Sequence, residues 1–137
     1  LIRDPREMLT SYLKKIPDPI AEDTGYPQQV EIFDYVREKT GSTPPVIDTK
    51  DFLGDPAGML RQLCEIFDVE FSDSMLTWEP GFRETDGCWA EYWYTEVPTS
   101  TGFRPYLAKE EEVPAEFASL HDECQALYQK LYEHRLR

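Results

Sequence analysis

The chain has 137 residues, of which 40% are apolar and 13% aromatic, enough for one domain with a packed core and too apolar for disorder over most of its length. Fourteen basic residues against 27 acidic ones give a formal charge of −13. A field of that sign repels nucleic acid and anionic membranes, so neither is an expected partner.

The strand signal comes first: Leu1-Ile2 reads as the tail of a buried strand. Asp4 then caps a helix with Pro5 at its first turn, where proline's missing N–H costs nothing. Met8, Leu9, Tyr12 and Leu13 give that helix an apolar stripe, and Pro17-Asp18-Pro19 ends it. "AEDTGYP" reads as a loop. A second helix is expected from Pro27 to Lys39, with Gly41 at its C-terminal cap. "TPPVID" reads as a short strand, Val46-Ile47, ending in Asp48.

"GDPAGMLRQLCEIFDV" carries the clearest helical pattern. Asp55 caps it, Pro56 follows, and Leu60, Leu63, Cys64 and Phe67 fall at helical spacing. Asp73 is expected to cap a short turn. Residues 78–113 have no clear period. From Pro114 to His134 a last helix carries Phe117, Leu120, Cys124, Leu127 and Leu131; the "KEEE" before it reads as a charged turn. Cys64, Cys88 and Cys124 are odd in number, widely spaced and free of any Cys-x-x-Cys, which argues against a disulfide framework or a zinc site and for a reducing, cytoplasmic setting. No stretch approaches the ~20 apolar residues of a membrane span. His121 and His134 lack metal-ligand spacing and read as surface histidines, so no metal is expected.

The opening segment is the one with chemistry in it. A strand that delivers its end to a helix N-terminus makes an anion site, because backbone N–H groups and the helix dipole face outward there. Arg3 stands at that junction, where a planar guanidinium can grip phosphate oxygens. Ser11 follows two helical turns later, roughly 80° around from Arg3 on a regular helix. The bland reading has Arg3 paired with a neighbouring carboxylate and Ser11 solvated.

"LIRDPREMLTSY" resembles the 3′-phosphate-binding motif of sulfotransferases, in which Arg-Asp/Asn-Pro follows a strand and serine lies eight residues after arginine. "VIDTKDFLGDPAGMLRQLCEIFDVEF" is similar to a second landmark of that family, a strand, an acidic segment and a "DP" opening a leucine-rich helix. The resemblance implies an α/β, P-loop NTPase-like sulfotransferase fold, helix-rich here with a small parallel sheet. It implies 3′-phosphoadenosine-5′-phosphosulfate as co-substrate and a small-molecule acceptor hydroxyl or amine. Carried over by position, Arg3 and Ser11 hold the 3′-phosphate, while Asp48 and Asp51-Phe52-Leu53 are structural. The family's C-terminal Arg-Lys-Gly segment has only a faint echo in "TSTGFRP", which makes Arg104 a weaker nucleotide candidate.

The same resemblance implies what is not in these residues. The family's Gly-rich phosphosulfate loop and its acceptor base lie upstream of Arg-Asp-Pro, so residues 1–137 are expected to be the C-terminal part of such a domain. Either the N-terminal part of the same domain or another protein is then an expected partner. "GCWAEYWYTEVP" is read first as a satellite core under a long loop. On the family reading Trp89, Trp93 and Tyr94 become candidates for the acceptor side. Two other readings stand beside this one: a non-catalytic interaction module on the same fold, and a small-molecule P-loop kinase.

Overall fold

The computed structural model describes residues 1–88, 90–94 and 96–137, and the side chains of all of these except 91 and 93. The chain forms two units, Leu1–Phe52 with Leu107–Arg137, and Leu53–Tyr106.

In the first unit, α1 (Pro5–Tyr12) opens as its sequence dictates: the Asp4 carboxylate accepts from the Glu7 N–H at 3.1 Å, with proline in the first turn. A four-residue helix, α2 (Ala21–Thr24), replaces the expected loop. Asp23 makes it by accepting the Ile20 N–H at 3.0 Å, closing one turn without a serine or threonine cap. Gly25, left-handed at φ 79°, redirects the chain into α3 (Tyr26–Thr40), which Gly41 ends at φ 69°, as expected of a C-terminal glycine. The last long helix, α7 (Ala118–Tyr132), begins after a 3-10 turn at Ala115–Phe117 rather than at Pro114. It packs against α1, α2 and α3. The core is Ile2, Tyr26, Val30, Phe33, Val46, Cys124, Tyr128 and Leu131, with Met8, Leu120, Leu127 and Tyr132 packed on it.

The expected parallel sheet is reduced to single bridges. Among the described residues no strand forms; Ile2 pairs with Asp48, and Val46 with Arg135, both in the parallel sense. Ile2 N–H donates to Ile47 O at 2.7 Å, Thr49 N–H returns to Ile2 O at 2.9 Å, and Leu136 N–H donates to Val46 O at 2.9 Å. The 46–48 segment is therefore central, with a neighbour on each side. Its length is limited on both sides. Pro44-Pro45 precede it without N–H groups to offer, and α4 (Thr49–Gly54) follows at once.

Asp48 starts α4. One of its oxygens accepts the N–H groups of Lys50 and Asp51, at 2.9 and 3.3 Å, and the other accepts the Tyr128 hydroxyl at 2.8 Å. A carboxylate only 2% exposed is thus satisfied on both oxygens. Asp51 accepts Arg135 Nε at 2.7 Å, and that guanidinium stacks over Tyr132 at 3.6 Å.

In the second unit, α5 (Pro56–Ile66) is capped by Asp55, which accepts the Gly58 N–H at 2.9 Å. Its buried face is Met59 and Cys64; Phe67, expected on the stripe, is 60% exposed. The helix stops at Ile66, and Phe67 is its C-terminal cap, already outside the helical conformation at φ −98° and ψ 6°. Ser72, not Asp73, caps the next turn by accepting the Ser74 N–H at 3.3 Å. Asp73 instead lies 3.6 Å from Arg61. Thr77 and Gly102 form an antiparallel bridge, beside which the Trp78 indole donates to Ser100 Oγ at 3.0 Å and meets the Phe103 ring edge-on at 5.1 Å. A short helix, α6 (Ala90–Trp93), lies within the aromatic stretch.

Candidate functional site

Arg3 is held by its backbone. The Tyr26 hydroxyl, at the first residue of α3, donates to Arg3 O at 2.6 Å and fixes the residue just before the cap of α1. Burial keeps that phenol protonated far above its ordinary range, with the Cys124 thiol adding to the effect. The Arg3 side chain is 41% exposed, and its Nε is buried 3.6 Å from Glu7 Oε2 with no hydrogen bond among the described residues.

Glu7, one turn into α1 and 2% exposed, is where the neighbouring groups converge. Its backbone carbonyl accepts from Ser11 Oγ at 3.1 Å, Thr10 Oγ1 at 3.2 Å and Lys109 Nζ at 3.4 Å. Its Oε1 accepts the Lys109 backbone N–H at 3.4 Å. Lys109 Nζ also donates to Ser11 Oγ. Arg3, Glu7 and Ser11 succeed one another every four residues, so they share a flank of α1.

The structure therefore brings Arg3 and Ser11 to one side of α1 and adds Lys109, which the sequence reading passed over in a charged turn. A lone cation before three glutamates was its only sequence signal. Its partners are about a hundred residues away, and no local pattern announces them. The Lys109 amine is held below the ordinary lysine range by burial first and by the Arg3 guanidinium second. Two cations thus stand close together with one buried carboxylate behind them, in a chain that is otherwise strongly acidic. An anion placed between them would relieve their repulsion and supply acceptors for the guanidinium.

Arg104 belongs to the second unit and is paired there with Glu96. Tyr94 is 43% exposed, and its N–H donates to Ala90 O at 2.8 Å. Trp89 and the side chain of Trp93 lie outside the described residues. His121 lies 3.6 Å from Asp122, and His134, half-buried, stacks on Phe33 with ring centres 5.0 Å apart. Among the described residues, no group of three or more His, Cys, Asp or Glu is placed to hold a metal ion. Nor is any helix among them long and apolar enough to cross a membrane.

This arrangement meets an independent match. The profile of the sulfotransferase domain family covers residues 1–126, and the chain belongs to that family. A P-loop-like fold, helix-rich in this portion, follows from the membership. Two relatives from Arabidopsis thaliana, branched-chain-amino-acid aminotransferase-like proteins 2 and 1, are each 34% identical over 134 residues. The alignment takes in 98% of this chain and 24% of each relative, so the chain spans about a quarter of their length. Most of each relative has no counterpart here, and their names carry no aminotransferase reading to this chain. No solved structure matches the chain.

Proposed function

We propose that Arg3, Ser11 and Lys109 hold the 3′-phosphate of 3′-phosphoadenosine-5′-phosphosulfate in a domain that moves the sulfuryl group to a small-molecule hydroxyl or amine. The observation that carries this reading is the meeting of both motif residues and a second cation on one flank of α1, around the buried Glu7. Arg3 supplies the fork that matches phosphate oxygens, Lys109 a mobile point charge, and Ser11 a hydroxyl that can donate once it leaves the Glu7 carbonyl. Family membership supports the reaction class.

In the reaction, the acceptor oxygen or nitrogen forms a bond to sulfur while the bond from sulfur to the donor phosphate breaks, releasing adenosine 3′,5′-bisphosphate. That step needs cationic stabilisation of the sulfonate and a base for the acceptor proton. Among the described residues no glycine-rich turn joins a strand to a helix, and we assign the sulfonate side to residues other than these 137. On this reading residues 1–137 are the nucleotide-binding C-terminal part of the domain. The aromatic stretch with Trp89, Trp93 and Tyr94 is our choice for the acceptor side. Arg104 has a carboxylate partner already and ranks below Lys109 as a nucleotide contact.

A thermal-shift titration tests the reading, since a ligand bound only by the folded state raises the melting temperature. Adenosine 3′,5′-bisphosphate should stabilise the full-length protein, and Arg3→Ala should need at least tenfold more ligand for the same shift. A shift with ATP alone would favour the P-loop kinase, and no shift with either would favour a non-catalytic interaction module.

A further inference from the structure

Residues 107–114 run without helix or strand beside α1, within the first unit. What holds them there is mainly electrostatic. Lys14 Nζ donates to both oxygens of Glu111, at 2.7 and 3.0 Å. Arg6 Nη1 donates to Glu111 O at 3.4 Å and lies 3.6 Å from Glu112 Oε1. Along the line where the segment meets α1 is an open groove of about 310 Å³ lined by Thr10, Leu13, Lys14, Glu111, Glu112 and Pro114. Close apolar packing, which fixes the rest of this unit, is missing at that point, and Leu107 at the start of the segment is 84% exposed.

Two forces act to expel the Lys109 amine from its place beside Ser11. Burial costs it hydration, and Arg3 repels it. A segment whose residues 110–112 and 114 are exposed has little apolar packing with which to resist them. We infer that Lys14 and Glu111 are positioning residues: their ion pair anchors the chain two residues beyond Lys109 and so keeps its amine beside Arg3 and Ser11. The inference rests on the reading of those three residues as a phosphate site. Lys14 and Glu111 themselves need not touch the nucleotide.

Glu111→Gln separates positioning from bulk charge, because the two predict opposite signs. Removing a negative charge near an anion site should tighten binding by attraction alone, whereas loss of the anchor should weaken it. In calorimetric titrations of the full-length protein with adenosine 3′,5′-bisphosphate, we expect Glu111→Gln to bind about threefold to fivefold more weakly, the worth of one exposed ion pair. The charge swap Lys14→Glu with Glu111→Lys should recover affinity to within about twofold, because the pair is restored with its sign reversed. In a Lys109→Met background, Glu111→Gln should have no further effect. Unchanged or tighter binding by Glu111→Gln, or an equal loss in the Lys109→Met background, would overturn the inference while leaving the phosphate site standing. Absence of binding by the wild type would remove the phosphate reading and this inference together.

Discussion

Tyr128 donates its hydroxyl proton to Asp48 across 2.8 Å, tying the middle of α7 to the residue that opens α4. Eighty residues separate the two in sequence. The same carboxylate caps α4 through Lys50 and Asp51, so one buried group serves a helix start and a tertiary contact. Tyr128→Phe keeps the ring and leaves an oxygen of Asp48 without that donor. A buried acceptor deprived of its partner costs about 1–3 kcal/mol, so the urea midpoint should fall at unchanged slope. Asp48→Ala should cost more, because it removes the cap as well. Equal stability of Tyr128→Phe and wild type would show that water replaces the hydroxyl freely.

Alkaline pH should unfold the protein through its buried phenols. Burial raises both Tyr26 and Tyr128 well above the ordinary range; the Cys124 thiol adds to the effect at Tyr26, and donation to Asp48 at Tyr128. A raised pKa in the folded state means the proton is bound more tightly there than in the unfolded chain. The stability so gained is complete below the ordinary phenol value of about 10 and is lost as pH climbs past it. Ultraviolet titration should show Tyr26 and Tyr128 ionising only as helix content is lost. Reversible ionisation of all eight tyrosines with the helix signal intact would contradict this.

Thiol reactivity should divide the three cysteines cleanly. Cys64 and Cys124 are buried and Cys88 is exposed. Burial also pushes the Cys124 thiol up, which lowers its thiolate fraction further. A chromogenic disulfide reagent should modify one thiol quickly in the native protein and the other two at the rate of unfolding. Fast reaction of two thiols would mean that one of the buried faces opens readily.

The elements legible in the sequence were those specified locally. Asp4-Pro5, Asp55-Pro56 and Gly41 act through neighbours within one turn, so α1, α5 and the end of α3 could be read from spacing and chemistry alone. α4 has a local cap too, in Asp48, but its six residues are too few to show an apolar period and none is buried. α2 depends on a single backward reach of Asp23, a weak local signal. The site divides in the same way. Arg3 and Ser11 belong to one motif, whereas Lys109 meets them from a segment about a hundred residues away that also contacts α1 through Lys14 and Arg6. Long-range ion pairs leave no period in a sequence.

If Arg3 grips a phosphate, removing its guanidinium forfeits a charge-assisted pair worth about 1.5–3 kcal/mol, or roughly tenfold to a hundredfold in affinity. Arg3→Ala keeps the backbone carbonyl that accepts the Tyr26 hydroxyl, and the Glu7 carboxylate keeps the Lys109 backbone N–H, so the variant should retain its helix content. Calorimetric titration of adenosine 3′,5′-bisphosphate into wild type and Arg3→Ala, with helix content checked for both, is the most direct test. The predicted result is binding by the wild type and at least a tenfold loss in the variant. Equal affinity of a folded Arg3→Ala would contradict the placement of the nucleotide on α1.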